Sequence, residues 1–357
     1  MTFQATLLDW YDQHAADLPW RRRQDAYAVW LSEIMLQQTQ VETVIPYYER
    51  FLAAYPTVHD LAAAPIADVL KRWEGLGYYT RARNLHRAAQ KVSQTYHGQF
   101  PTTVEALMHL PGVGRYTAGA IASIAFGVRA PVLDGNVIRV FARLTDLDAE
   151  VSQTAVRDQL WELAEAWLPE ARPGDYNQAL MELGRVICKP RLPLCAACPL
   201  QTHCLAFERG TQTRRPVKKA RPPLPHVDVT AGLIWNGDGK LLIAQRPMEG
   251  LLGGLWEFPG GKVEPAETLQ ECLRRELREE LAIEVEVGEL YTVVQHSFTH
   301  FRITLHVFTC RHLDGQPQAV GVQNWAWVMP EELRQYSFGK ADRDVIAALD
   351  ARRGMLF

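Results

Sequence analysis

Bulk positive charge is missing from this 357-residue chain: 38 lysines and arginines against 41 acidic residues leave a net charge of −3. A partner held by a global basic field is therefore excluded. Long apolar runs are missing too. The longest, Ala118 to Val128, falls far short of the roughly 20 residues that a membrane span needs. The first twenty residues carry Asp9, Asp12 and Asp17 without a basic n-region, so no signal peptide is expected. Cysteine is scarce, six in all, and four of them crowd into residues 188–204. A disulfide framework spread over the fold is excluded; clustered thiols without a secretory signal point to metal binding in a reducing compartment. The expected location is cytoplasmic. No internal repeat, low-complexity tract or coiled-coil pattern is present, so a monomer is the default.

What is there divides the chain in two. Residues 1–208 read as all-α. Apolar residues recur at three and four in Val29–Leu36, Ala62–Trp73, Tyr79–Val92 and Ala155–Trp167, with Pro19, Pro46, Pro56, Pro65, Gly98 and Pro101 between such stretches. Residues 209–226 form a basic, proline-rich strap: Arg209, Arg214, Arg215, Lys218, Lys219 and Arg221, no acidic residue to 221, and Pro216, Pro222, Pro223 and Pro225. Proline at that density resists packing, so the strap reads as a linker offering local positive charge to an anionic partner. Residues 227–357 change character. Val227–Ile234, Lys240–Gln245, Ile283–Val287, Leu290–Gln295 and Arg302–Cys310 are short and rich in β-branched residues, interrupted by a helical Thr268–Leu281. That pattern predicts a second, α+β domain.

Four motifs of residues 1–208 carry chemistry. Cys188, Cys195, Cys198 and Cys204 stand at C-x6-C-x2-C-x5-C, and four thiolates so close can surround one soft metal centre, an iron–sulfur cluster or a structural zinc. Cys272 and Cys310 are left over as core thiols. Leu110-Pro111-Gly112-Val113-Gly114-Arg115-Tyr116 joins two helical stretches. Its glycines either make a plain turn or bring backbone amides at a helix start against phosphate. Glu33 is the sole acid in an apolar stretch between Asp25 and Glu42. Buried, it would hold a proton near neutral pH; at the surface it would be an ordinary glutamate. Asp134, in Leu133-Asp134-Gly135-Asn136, is either a helix N-cap or the second carboxylate of a pair.

The cysteine spacing at the end of an all-α region resembles the [4Fe–4S] loop of the endonuclease III superfamily, and Leu-Pro-Gly-x-Gly resembles its helix-hairpin-helix, a clamp on the DNA backbone. Members that also cut the strand carry a lysine after Arg115; here it is Tyr116, which cannot form an imine. Leu18-Pro19-Trp20-Arg21, the segments around Glu33 and Asp134, and Gly75-Leu76-Gly77-Tyr78-Tyr79 closely resemble the adenine DNA glycosylase (MutY-type) family over essentially the whole chain. The resemblance implies a fold of an all-α helix-hairpin-helix glycosylase domain with a [4Fe–4S] loop, joined to a smaller Nudix-like (MutT-like) domain. It implies excision of adenine opposite 8-oxoguanine or guanine in double-stranded DNA, leaving an abasic site. Glu33 is then the acid that protonates adenine, and Asp134 the carboxylate that stabilises or attacks the sugar. Tyr116 and Asn136 support them, and Trp20 and Arg21 line the pocket for the flipped base. Gln38 and Tyr78 become wedges in the duplex, with Thr39 and Leu76 beside the opposing base, while Gly112, Gly114 and Arg115 meet the backbone.

In the C-terminal region Gly261-x5-Glu267-x7-Arg275-Glu276-Leu277-x-Glu279-Glu280 matches a Nudix box, with Ala282 where the pattern has glycine. On a helix Glu276, Glu279 and Glu280 share one face, which is either a solvated acidic surface or a Mg²⁺ site. The resemblance gives this domain the reading of 8-oxoguanine, with Phe298, Thr299 and His300 as the lesion loop. A rival of another class is a Nudix pyrophosphohydrolase fused to a DNA-binding helical domain. A closer rival is a thymine or uracil mismatch glycosylase.

Overall fold

The computed structural model describes residues 2–219 and 222–354; Arg221 of the basic strap lies outside the described residues. The chain divides into two compact units, one of residues 1–64 and 84–221, the other of residues 65–83 and 222–357.

The chain opens with helices α1 (Phe3–His14), α2 (Ala26–Leu36), α3 (Val41–Ala54), α4 (Val58–Ala63), α5 (Ile66–Trp73) and α6 (Thr80–Thr95). There follow α7 (Val104–Met108), α8 (Arg115–Phe126), α9 (Gly135–Leu144), α10 (Thr154–Trp167), α11 (Pro173–Val186) and the short α12 (Leu205–Glu208). The apolar stretch Ala62–Trp73 is two helices rather than one, because Pro65 stands between α4 and α5. Helix α2 begins at Asp25, whose side chain accepts from the Ala28 amide at 3.0 Å. From Tyr27 to Met35 it is buried on every side, as a helix apolar all round must be. Helices α9 and α11 pack the main core of this unit, with Val137, Val140, Phe141, Tyr176, Leu180 and Leu183 fully enclosed.

The basic strap is not the loose linker that its prolines suggest. Asp146 gathers Arg215 Nε at 2.8 Å, Arg209 at 3.2 Å and the Thr211 hydroxyl at 2.6 Å, and Arg215 is 9% exposed. A buried carboxylate outweighs proline's preference for extended chain, so residues 209–217 pack on the helical unit. Arg214 and Lys218 of the strap carry no such carboxylate pairing among the ion pairs of the described residues.

The second unit is a mixed sheet of β1 (His226–Trp235), β2 (Leu241–Gln245), β3 (Trp256–Glu257), β4 (Glu284–Ser297), β5 (Arg302–Asp314) and β6 (Asn324–Val328), with α13 (Leu269–Leu281) and α14 (Lys340–Gly354). The order is β3-β2-β1-β5-β4, with β6 also on β2, and only β1 and β5 run parallel. Alternation along β1 feeds two cores. Ala231 and Leu233 join Val345 and Leu349 of α14, while Ile234 joins Leu273, Leu277 and Leu281 of α13. The two expected strands 283–287 and 290–295 are one bulged strand, β4; Gly288 between them reads as a break but serves as the irregularity.

Two buried arginines of α9 tie the cysteine segment to the helices. Arg143, 2% exposed, donates to the carbonyls of Lys189, Pro190, Gln212 and Arg215 and to Cys188 Sγ at 3.2 Å. Methionine at this position keeps the bulk and abandons every acceptor. Arg143→Met should cost about 3 kcal/mol or more, lowering the midpoint of a thermal melt by roughly 6–12 °C; an unshifted melt would mean that the loop holds itself.

Candidate active site

A cavity of about 1320 Å³ opens in the helical unit, lined by Trp20, Arg21, Glu33, Gln38, Thr39, Gly114, Tyr116, Asp134 and Asn136. Nine positions singled out in sequence thus meet in one place. Trp20 and Arg21 sit on a 3₁₀ turn started by Pro19. Glu33 projects from α2, Tyr116 from the first turn of α8, and Asp134 caps α9.

Glu33 is 6% exposed and accepts a 2.7 Å hydrogen bond from the Tyr116 hydroxyl. Burial pushes its pKa from 4.5 up to about 7; Asp134 adds to the rise, and Tyr116 and Arg21 oppose it. Asp134 is held differently. One carboxylate oxygen accepts from the amides of Asn136 at 3.0 Å and Val137 at 2.7 Å, the other from the Asn136 side chain at 2.8 Å. Burial raises its pKa while these donors pull the other way, and the start of α9 favours negative charge. Its capping role and its place in the cavity coexist. The side chain of Asn136 in turn accepts from Arg139 at 2.8 Å, and Arg139 reaches the Cys188 carbonyl at 2.6 Å.

The glycine turn between α7 and α8 has its conformational reason. Gly112 has φ of +76°, and a Cβ there would meet Asn84 at 2.8 Å. Gly114 caps α8 without a side-chain acceptor, leaving a helix N-terminus open toward an anion. Arg115 lies outside the cavity lining and stacks over Trp161 at 4.0 Å.

Gln38 and Tyr78, the two expected wedges, both have left-handed backbones, with φ of +57° and +49°. Such conformations cost of order 1–3 kcal/mol for residues other than glycine and gather at functional sites. Tyr78 is 45% exposed and belongs to the second unit, where its hydroxyl lies 3.2 Å from Thr299 Oγ1. Phe298 stacks on Phe301 at 4.8 Å in the turn between β4 and β5, leaving Thr299 and His300 exposed. Leu76, expected beside DNA, is instead buried at 5% exposure, because the turn after α5 folds it inward.

Sequence reasoning missed one wall. Gln178, Met181, Glu182 and Arg185 line the cavity from a single face of α11, and their i, i+3, i+4, i+7 spacing is the signal that could have found them. Glu182, its side chain 3% exposed, bridges Arg21 at 3.1 Å and Arg185 at 2.6 Å.

The four clustered cysteines are free thiols lining one small cavity with Arg143. Among the described residues no three such donors are gathered tightly enough for a single metal ion; the thiols ring a space. Four soft donors beside a buried cation are a donor set that fits a thiolate-ligated cluster. In the second unit, Arg275 engages Glu279 at 3.1 Å and Glu276 at 3.1 Å. Burial pushes Glu280 up to about 7 beside Glu257, a buried carboxylate paired with Arg246 that the sequence did not mark.

A family model described as the HhH-GPD superfamily base excision DNA repair protein matches residues 31–166, and a NUDIX domain model matches 230–348. Human adenine DNA glycosylase is 40% identical over 96% of this chain and 73% of its own length. The rat adenine DNA glycosylase is 39% identical over 98% and 78%. The chain belongs to the adenine DNA glycosylase family.

Among solved structures, a thermostable thymine-DNA glycosylase matches with a TM-score of 0.53 and 32% identity over 58% of this chain and 95% of that one. An endonuclease III trapped as a covalent DNA intermediate matches with 0.50 and 25%, over 58% and 94%. The chain is accordingly a base-excision repair enzyme that hydrolyses N-glycosidic bonds in DNA, with a helix-hairpin-helix domain and a C-terminal Nudix domain. Curated relatives range from mammals to bacteria, so kinship carries no assignment to a bacterial-type or nucleoid location. No described helix is long and apolar enough to cross a membrane.

Removing the Tyr116 hydroxyl withdraws the one hydrogen bond that favours ionised Glu33. In Tyr116→Phe the Glu33 carboxyl should titrate above the native value of about 7, read by carbon-13 NMR of labelled glutamate; a downward move would reverse the role given to this bond.

Proposed function

We propose that the enzyme removes adenine mispaired with 8-oxoguanine, and more weakly with guanine, and stops at the abasic site. The observation that carries the reading is Glu33, a buried carboxyl poised near pH 7 in the same cavity as a differently solvated Asp134. Two carboxyl groups with unlike environments divide acid and electrostatic work between them. Glu33 donates its proton to a ring nitrogen of the flipped adenine. The C1′–N9 electron pair then leaves with the base, and positive charge grows on the sugar. Asp134, kept in place by its three donors, meets that charge directly or by attack at C1′. Water completes the sugar hydroxyl and releases a proton. Tyr116 holds Glu33, Asn136 holds Asp134, and Trp20 and Arg21 enclose the base. Tyr116 stands where a strand-cutting relative has lysine, which supports a monofunctional outcome.

Cys188, Cys195, Cys198 and Cys204 would hold the [4Fe–4S] cluster. With all four corners filled by cysteine, such a group supplies structural closure of the 188–204 loop. Domain boundaries follow the same reading: 1–208 for excision, 209–226 as junction, 227–357 for the opposite base. Gln38 and Tyr78 enter the duplex, Thr39 flanks them, and Gly112, Gly114 and Arg115 take the backbone. Phe298, Thr299 and His300 read 8-oxoguanine. The Nudix helix serves recognition, since Arg275 already occupies Glu276 and Glu279; Mg²⁺ has no assigned step.

Single-turnover excision on duplexes with 8-oxoguanine, guanine or thymine opposite adenine, with and without alkali, tests the reading. Alkali-dependent cleavage should be fastest opposite 8-oxoguanine and should decline as pH rises through about 7, where Glu33 loses its proton. Glu33→Gln should lose about a thousandfold or more in rate while keeping mismatch affinity within about tenfold. Unchanged turnover would remove Glu33 from the chemistry. Thr299→Ala should narrow the 8-oxoguanine to guanine rate ratio; an unaltered ratio would take the loop out of lesion reading.

A further inference from the structure

A second cavity, of about 310 Å³, adjoins the first within the helical unit and is open at the exposed residues Asp12, Ala15, Asp17 and Gln24. The two share Trp20, Arg21, Ile124 and Gln178 on their linings, so one wall divides them. We propose that this second chamber is the exit for the excised base, taken while the abasic strand still occupies the front. The proposal rests on the reading of the front cavity as the excision site.

The front cavity is lined by Gln38, Thr39 and Gly114 as well as by the carboxylates. A duplex held by those residues covers that opening, and a base freed beneath it has no way past the strand. Arg21 is the movable part of the wall. One of its terminal nitrogens donates to the Ala16 carbonyl, which lines the chamber; the other donates to Glu182, which lines the front. Its Nε is buried without a hydrogen-bond partner, so no bond at that atom is lost when the side chain moves. Swinging this side chain gives up the Ala16 hydrogen bond and the ion pair to Glu182, whose carboxylate keeps its second partner, Arg185.

Beyond Arg21 the chamber suits a neutral purine. The Tyr11 ring, already 5.4 Å beneath the Arg21 guanidinium, offers a flat face. Gln24 and the shared Gln178 offer acceptors and donors to the amino and ring-nitrogen edge, while Asp17 on the same lining is already paired with Arg22. Arg172, with a left-handed φ of +59°, is clamped by Asp12 and Asp175 on the same lining. That clamp fixes part of the chamber wall, whereas Arg21 has one contact to each of Ala16, Glu182 and the Tyr11 ring. The size falls at the small end of ligand pockets.

The test uses full-length enzyme in excess over a duplex carrying radiolabelled adenine opposite 8-oxoguanine. Alkali quenching reads cleavage, and rapid filter capture of the protein–DNA complex reads label still bound. In the native enzyme, label should leave well before the DNA does. Ala15→Trp and Gln24→Trp narrow the chamber from exposed positions. Each should keep the cleavage rate within about twofold and slow release of label about fivefold or more. Label leaving only with DNA in the native enzyme, or leaving both variants at the native rate, would overturn the exit. Absent cleavage in the native enzyme would instead refute the excision site on which the exit rests.

Discussion

A carboxyl group inside an apolar helix is the constraint around which the helical unit is arranged. Lifting Glu33 from 4.5 to about 7 leaves the folded state holding a proton that the unfolded chain has released. Stability is therefore lost as pH rises from the unfolded value through about 7, by roughly 3 kcal/mol once both states are ionised. The enclosure of α2 creates that burden, and the Tyr116 hydroxyl relieves part of it with one well-placed hydrogen bond. The position of Tyr116 depends in turn on the glycine turn that starts α8. Gly112 alone among the turn residues must adopt a positive φ pressed against Asn84.

Asp134 is fixed by a different economy. It satisfies the amides at the start of α9, so the helix is stabilised by the same atoms that face the cavity. From there a run of hydrogen bonds passes through Asn136 and Arg139 to the Cys188 carbonyl, and Arg143 continues it to the Cys188 sulfur and the loop beyond. The cysteine segment and the carboxylate are thus built on one helix. Whatever sets the position of residue 188 is felt at the cap of α9 through contacts of under 3 Å. Buried arginines suit this task because each planar fork serves several carbonyls at once.

The second unit solves a separate problem with ordinary sheet alternation. Its two cores lie on opposite faces of β1 and β5, and Arg275 pairs with Glu276 and Glu279 of α13 while Arg246 pairs with Glu257 of β3. Its most informative feature is local. Tyr78 and Thr299, far apart in sequence, stand within hydrogen-bond distance in this unit, so residues read separately as a wedge and as a lesion contact form one surface. Tyr78 combines a left-handed backbone with an exposed side chain, and Gln38 of the helical unit does the same.

Sequence alone determined the two-part architecture, the clustered cysteines, the glycine turn and the pair of carboxyl candidates. Each is a matter of periodicity or spacing within a short window, where local physics dominates. The same local view erred where a distant partner decides: the prolines of residues 209–226 argued for a free strap until Asp146 gathered Arg209, Thr211 and Arg215, and Leu76 turned inward. The α11 wall went unread because the i, i+3, i+4, i+7 spacing of Gln178, Met181, Glu182 and Arg185 marks one helix face without saying what that face meets. Whether Glu33 is a surface glutamate or a buried acid was likewise a tertiary decision. Burial is a property of everything packed around a side chain, and it alone moves the carboxyl to the pH at which its proton becomes useful.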